Sequence, residues 1–141
     1  MINNESVINS LIEQWTVIES LSDKLRPFVG IVGGKIFNGP APPDESFNLL
    51  LVLSYSCLDE FLSQCLIEDI FSVNVKGKFP MLGAKMVASK QSIKWKNYKL
   101  INEGKIARNN LAHKSKFADK KECEKYIDAV KNEFLGWGIL S

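Results

Sequence analysis

One apolar stretch constrains the fold of this chain more than any other feature. It begins near Pro43-Asp44-Glu45 and runs through LLLVLSYSCLDEFLSQCLIEDI to about Phe71. Proline and acidic residues favour a helix start, and the run is apolar around much of the helical circumference. Its most apolar part, Phe47–Leu58, is too short and too polar at its ends to span a bilayer, so we expect no membrane contact. The run predicts the central helix of a bundle.

Helical spacing of apolar residues continues on both sides of this run. Residues 6–29 predict a first helix, with Asn3 or Asn4 as its cap and Pro27 with Gly30 at its end. After the central run, a short helix is predicted over 81–88 and a longer one over 92–113. Following a break at 115–118 and an Asp119 cap, a last helix is predicted from Lys120 to about Leu135.

Turn-forming residues separate these helices. Segment 30–43 is rich in glycine and proline and predicts a long loop, to which we assign no function, and residues 73–80 predict a turn. No segment alternates as a strand would. At 141 residues and 45% apolar content, the chain is expected to form one domain, 1–141, an all-α, up-and-down bundle of four to five helices.

The cysteine and histidine content narrows the chemistry. Cys57 and Cys65 lie eight residues apart in one predicted helix, so they cannot pair without breaking it. Three cysteines without a Cys-x-x-Cys pair favour a reducing compartment and argue against a zinc site. One histidine makes a histidine-based metal site improbable, and we expect no cofactor. No secretory leader is evident, which points to a cytoplasmic location.

Charge divides the chain into two halves. Residues 1–72 carry a net charge of −7 and residues 73–141 a net charge of +9. The extreme stretch, 76–116, holds eleven basic residues and one acid, Glu103. Two interpretations stay open: a solvated face beside acidic neighbours, or a surface that attracts phosphate backbones.

Two polar features have an ordinary explanation. Gly33-Gly34-Lys35 resembles part of a phosphate-binding loop, but the first glycine and the Ser/Thr of that motif are missing and no strand precedes it. The acids of the central run, Asp59-Glu60 and Glu68-Asp69, fit a solvated helix stripe. Asp59 interrupts an apolar region, so we expect it to have a buried partner, an arginine being the usual one.

The segment ARNNLAHK, residues 107–114, is the strongest candidate for a functional site. Arg108 stands five residues before His113, the only histidine of the chain. Asn109 and Asn110 are poor helix formers, which either marks a helix about to end near Lys114 or reflects a function. Helical geometry places Arg108 about 140° from His113. We therefore expect the long arginine side chain to reach around the helix, or a symmetric second copy to bring another Arg108 close.

The run Arg108-Asn109-Asn110-Leu111-Ala112-His113 resembles the Arg-x4-6-His signature of the HEPN superfamily, in its Arg-Asn-x-x-x-His form. The order of the helices and the segment CLDEFLSQCLIE are also similar to that family, over roughly residues 5–135. The resemblance implies a helical bundle that dimerises and, in many members, cuts RNA without metal. Arg108 and His113 would be the catalytic pair with Asn109 as supporting polar residue, and we add Asp59, Asn110 and Lys114 as supporting candidates.

One position departs from the family pattern. Some HEPN toxins carry tyrosine two residues after the histidine, where a partner nucleotidyltransferase adds AMP, and Ser115 stands there in this chain. Control by an antitoxin or a nucleotidyltransferase-type partner would then require masking of the site. Two alternatives to a ribonuclease stay open: a non-catalytic module that binds nucleic acid or nucleotides, and a helical dimerisation or scaffold protein.

Overall fold

The computed structural model describes residues 1–26, 29–39, 42–75, 77 and 80–141. Within them the fold is mostly helical, as predicted, with one small hairpin. The elements in chain order are α1 (Glu5–Lys24), β1 (Val29–Val32), β2 (Lys35–Asn38), α2 (Phe47–Ile67, preceded by a 3₁₀ turn at Asp44–Ser46), α3 (Leu82–Ser89), α4 (Tyr98–Lys114) and α5 (Lys120–Gly136).

Helix α2 is the centre of the bundle, as its composition predicts. It packs against α1, α3, α4 and α5, and 12 of its 21 residues are buried. By length and composition alone, the segment Asp44–Ile67 is also apolar enough to cross a membrane, but 56% of its most apolar window is buried inside the fold. Packing against the neighbouring helices therefore accounts for its apolar character.

The hairpin corrects the expectation of a loop over 30–43 without strands. β1 and β2 pair antiparallel, from Val29 opposite Asn38 to Val32 opposite Lys35. Gly33 and Gly34 turn the chain with φ of +58° and +76°, the positive angles that a two-residue hairpin turn requires. Ile31 and Ile36 are both more than 70% exposed. Because apolar residues stand at solvent-facing positions of this hairpin, its sequence lacks the polar–apolar alternation that usually marks a strand.

Two helix ends differ from the predicted ones. α1 ends at Lys24 and Val29 already belongs to β1, so the prediction of a helix to residue 29 is wrong there; Pro27 lies outside the described residues. α2 ends at Ile67 and not near Phe71, because Asp69 adopts a left-handed φ of +55° and the Ile70 N–H turns back to the Cys65 carbonyl at 2.9 Å. Positions 76, 78 and 79 of the predicted turn at 73–80 also lie outside the described residues.

Helix α4 begins six residues later than predicted, at Tyr98 instead of Ser92. The buried Glu133 carboxylate of α5 accepts hydrogen bonds from the backbone N–H groups of Lys96 and Asn97, at 2.8–2.9 Å. The Trp137 indole N–H donates to the Lys94 carbonyl at 2.8 Å. These long-range bonds hold residues 94–97 in a non-helical conformation, and the Asn97 side chain then caps α4 by accepting from the Leu100 N–H.

A cluster of aromatic side chains fills the same end of the bundle. Phe61 stacks on Trp137 with ring centroids 4.5 Å apart, and Trp95 meets Trp137 edge-on at 4.9 Å. Further along α4, Gly104 is buried where α2 and α5 approach it. A Cβ at this position would collide with the Tyr55 hydroxyl and lie 2.9 Å from the Tyr126 Cβ, so only glycine allows the three helices to meet this closely.

Candidate functional site

The Arg108–His113 motif occupies the last two turns of α4, and the helix ends at Lys114 as predicted. Ser115 closes it with a left-handed φ of +51°. The backbone N–H groups of Ser115 and Lys116 both turn back to the Asn110 carbonyl, which satisfies one of the free carbonyls at the helix end. The motif therefore lies at an exposed helix terminus, next to the turn that leads into α5.

His113 is exposed, and so are its neighbours Lys114 and Lys116. The imidazole therefore stands in contact with solvent, and two basic side chains follow it along the chain. An exposed imidazole can exchange protons with a bound substrate near neutral pH.

Arg108 lies on a different side of α4, toward α2. Its residue is half-buried, and its Nε is buried without a hydrogen-bond partner in the part of the chain that the structure describes. The nearby Tyr55 hydroxyl donates to the Ile101 carbonyl at 2.7 Å. Burial raises the pKa of Tyr55 far above its usual range, and the Arg108 charge opposes that shift. Arg108 therefore carries unused hydrogen-bonding capacity beside the core.

The structure does not join Arg108 to His113 by a hydrogen bond within one chain. Positions five apart on a helix diverge by about 140°, and the observed helix is continuous over both residues. Asn109 is half-buried, and its side chain makes no hydrogen bond within the described residues. The chain thus presents the motif residues around the helix end and not in a single cleft.

Asp59 has a different partner from the predicted one. Its Oδ1 lies 2.5 Å from Nζ of Lys85, and that ammonium also donates to the Ser63 hydroxyl at 2.7 Å. The expectation of an arginine partner is wrong: the buried Lys85 of α3 takes this role. Asp59 also stands one turn beyond Tyr55 on α2, which runs antiparallel to α4, so it points away from the motif end. The pair joins α2 to α3.

A groove lies beside the motif, between α4, the turn at 115–119 and the first turns of α5. It encloses about 170 Å³. Asn110 lines it from the motif, while Ala107 and Tyr126 also line it, between its polar ends. Glu103 and Glu122 contribute carboxylates, and Lys116 and Phe117 form the outer rim. Of the predicted supporting residues, Asn110 is the one that borders this groove.

A buried amide fixes the position of the turn at 115–119. Asn48, only 2% exposed, donates to the Ala118 carbonyl at 2.8 Å and accepts from the Ala118 N–H at 3.0 Å. The same amide donates to the Glu45 carbonyl at 3.0 Å. Asn48 therefore pairs with Ala118 as a neighbouring strand would, and it ties the wall of the groove to the start of α2.

Sequence reasoning missed Asn48, Phe117 and Glu122, because their roles depend on contacts across the fold. A signal existed for Glu103, the single acid of the basic stretch 76–116. The three cysteines are buried and unpaired. Within the described ranges, no group of three or more His, Cys, Asp or Glu side chains is arranged to hold a metal ion.

Comparison with protein-family models, with curated proteins and with solved structures finds no significant match for this chain.

Proposed function

We propose that this protein is a metal-independent endoribonuclease of the HEPN type that cleaves single-stranded RNA. The observation that carries the proposal is the end of α4, where an exposed imidazole, His113, follows a half-buried arginine whose Nε has no partner among the described residues. Two exposed lysines, Lys114 and Lys116, follow His113 at this end, and their positive charge attracts a phosphate backbone.

The chemistry fits these two side chains. In the proposed reaction the ribose 2′-oxygen attacks the adjacent phosphorus, the O2′–P bond forms and the P–O5′ bond breaks. His113 removes the 2′-hydroxyl proton and then delivers it to the leaving 5′-oxygen. Arg108 stabilises the additional negative charge on the phosphoryl oxygens with a cation that stays protonated. The products are a 2′,3′-cyclic phosphate, which can open to a 3′-phosphate, and a 5′-hydroxyl.

Single-stranded RNA suits this reaction because in-line attack by the 2′-oxygen requires a flexible backbone. We further propose that the active form is a homodimer. The divergence of about 140° between the two motif positions is bridged when a two-fold axis brings the Arg108 of a second copy toward His113. Ile106, on the His113 side of α4, is 49% exposed and supplies apolar surface for such a contact.

A role as a toxin or phage-defence effector follows from the family resemblance, with growth arrest on expression as its expected sign. Any antitoxin would act by masking the site. Modification of a tyrosine two residues after His113 is not expected, because Ser115 stands there.

The test is cleavage of labelled single-stranded RNA in EDTA by the wild type, Arg108→Ala, His113→Ala and the control Lys99→Ala, which changes an exposed lysine at the other end of α4. We expect His113→Ala to lose about 10²- to 10⁴-fold in rate, Arg108→Ala to lose a comparable factor, and Lys99→Ala to change little. Melting temperatures check that the variants fold. If all four proteins cut equally, or none cuts, the proposal fails.

The net charge of +9 over residues 73–141 favours a second candidate, a HEPN-like module that binds RNA without cutting it. It predicts affinity that falls steeply with salt and no new RNA ends. The third alternative, a helical dimerisation or scaffold protein, predicts neither binding nor cleavage.

A further inference from the structure

The groove beside the motif shares a helix face with His113. Counting 100° per residue, Ile106, Asn110 and His113 of α4 fall within about 60° of one another. Ile106 and Asn110 line the groove, and His113 follows Asn110 by about 4.5 Å along the helix axis. An RNA chain whose ribose lies at His113 therefore has the groove within reach of its adjacent base.

The rim of the groove carries an aromatic side chain without an aromatic partner among the described residues. Phe117 is 58% exposed, and it stands in the turn that Asn48 fixes through Ala118. An exposed phenyl ring on a fixed segment offers a flat face to a planar ligand. Single-stranded RNA is recognised in this way, by stacking of unpaired bases on aromatic side chains.

Two carboxylates in the groove are unexpected on a surface that binds phosphate. Glu103 is the single acid of the stretch 76–116, and Glu122 comes from α5. Neither forms an ion pair within the described part of the chain. Burial raises the pKa of Tyr126, and the charges of Glu122 and Glu103 add to that shift, which places both carboxylates around this ring. Acids here repel phosphate and accept hydrogen bonds, so they suit the N–H edge of a base.

We propose that this groove is a base-recognition subsite for guanine, stacked on Phe117 and hydrogen-bonded to Glu103 or Glu122. Guanine presents two parallel donors, N1–H and the N2 amino group, which match the two oxygens of one carboxylate. Adenine and cytosine present one donor beside a repelling acceptor, and uracil presents one donor between two carbonyls. Lys116 also lines the groove and is exposed, so its ammonium is available to the phosphate of the same nucleotide. The inference rests on the proposed function, since it makes RNA the ligand.

The first experiment measures binding of the four nucleoside 3′-monophosphates to the full-length protein by calorimetry. We expect the guanosine form to bind about tenfold more tightly than the others, the factor that one bidentate base contact supplies. Glu103→Gln and Glu122→Gln, made singly and together, should reduce that preference. The control is Glu124→Gln, whose carboxylate lies 3.7 Å from Arg26 outside the groove. Phe117→Ala should weaken all four ligands.

Equal binding of all four nucleotides overturns the subsite, as does a guanine preference that survives the double Glu103→Gln, Glu122→Gln variant. If Phe117→Ala instead separates a dimer in sedimentation and leaves the affinity for all four nucleotides unchanged, the groove is a subunit contact and the inference also fails. The inference also fails if Glu124→Gln loses as much of the guanine preference as Glu103→Gln and Glu122→Gln do, because Glu124 lies outside the groove.

Cleavage of an RNA library separates this inference from the proposed function. We expect cuts beside guanosine in the wild type, and His113→Ala should lose cutting while it retains the guanine preference in binding. If the wild type cuts without base preference, the subsite is wrong and the ribonuclease stands. If it binds guanosine monophosphate through Glu103 or Glu122 and never cuts RNA, the subsite stands and the ribonuclease is wrong.

Discussion

The two ends of α4 are built in opposite ways. At its start, a buried carboxylate, Glu133, holds two backbone N–H groups, and the aromatic cluster around Trp137 covers the segment before it. At its finish, the helix leaves the core, His113 and Lys114 are exposed, and the following turn is attached through one buried amide, Asn48.

The two ends of α4 therefore serve different purposes: residues at its start stabilise the fold, and residues at its finish form the candidate site. The start of α4 contributes to the core, so changes there act on the free energy of unfolding. The finish contributes polar, solvated groups that are free to meet a ligand, so changes there act on the candidate site. Asn48 is the exception, because it stands in the core and positions the site.

The largest loss of stability is expected from Glu133→Gln. The amide keeps the shape, but it removes the charge and presents a donor to the N–H groups of Lys96 and Asn97, so we expect a cost of about 3 kcal/mol. Urea unfolding measures it. The half-exposed Glu124→Gln serves as control and should change stability by about 0.5 kcal/mol or less. Equal costs in the two variants would mean that the start of α4 is held by packing alone.

A smaller cost with a larger functional effect is expected from Asn48→Ala. The variant leaves the N–H and carbonyl of Ala118 without their partner, at about 2 kcal/mol. Because the groove wall moves, RNA cleavage and guanosine monophosphate binding should fall several-fold at a temperature where the variant is still folded. The exposed Asn132→Ala is the matched control. An Asn48→Ala protein that loses stability and keeps full binding would show that the turn needs no anchor.

The reactivity of the three thiols distinguishes the central helix α2, which carries Cys57 and Cys65, from the start of α5, which carries Cys123. Burial raises the pKa of Cys57 and of Cys65 to about 12, and that of Cys123 to about 11. One pKa unit corresponds to about tenfold in thiolate, so Cys123 should be alkylated first. Mass spectrometry of iodoacetamide-treated protein gives the order. Simultaneous labelling of all three thiols would indicate that they react through global unfolding.

The same thiols make stability depend on alkaline pH. Each folded pKa lies above its ordinary value of 9.0, so the unfolded chain releases these protons first. The contribution of these thiols to the free energy of unfolding is fully present below about pH 9. It is lost as the pH rises toward their pKa values in the folded protein. Urea midpoints should therefore fall between about pH 9 and pH 12, and less steeply in Cys57→Ala when each curve is normalised to its own value at pH 8.

The smallest effect is expected from Ser115→Gly at the finish of α4. Glycine adopts the left-handed φ of this position without the steric cost that serine carries, so we expect a gain of about 0.5 kcal/mol. Ser115→Ala, which keeps the Cβ, should show no gain. A gain in both variants would trace the effect to the serine hydroxyl and not to the backbone.

Local sequence spacing predicts the parts of the fold that local forces determine. The apolar circumference of α2, the Asp119 cap of α5 and the end of α4 at Lys114 all follow from residues within a few positions. The start of α4 does not, because helical spacing runs on through 92–97, while hydrogen bonds to Glu133 and Trp137, 36 and 43 residues away, hold residues 94–97 out of the helix. The hairpin is not predicted either, because its exposed isoleucines, Ile31 and Ile36, interrupt the alternation of polar and apolar residues that usually marks a strand.

The candidate site divides in the same way. The angular separation of Arg108 from His113 follows from helical geometry alone, and the end of the helix at Lys114 follows from the local sequence. The groove does not, since Asn48 and Ala118 are 70 residues apart and Glu122 comes from another helix. The sequence did not predict the pairing of Asp59 with Lys85. It indicates that a carboxylate in an apolar region needs a cationic partner, but it does not identify which residue supplies that cation.

Gly104 links the packing of the interior to the position of the Arg108–His113 end of α4. With no side chain between it and the two tyrosines, α4 rests on Tyr55 and Tyr126 as on a fixed pivot. Nine residues separate this pivot from His113, a lever of about 14 Å. A tilt of the helix about Gly104 therefore moves the imidazole by about an ångström for every four degrees, so repacking near the two tyrosines would change the position of His113 from a distance.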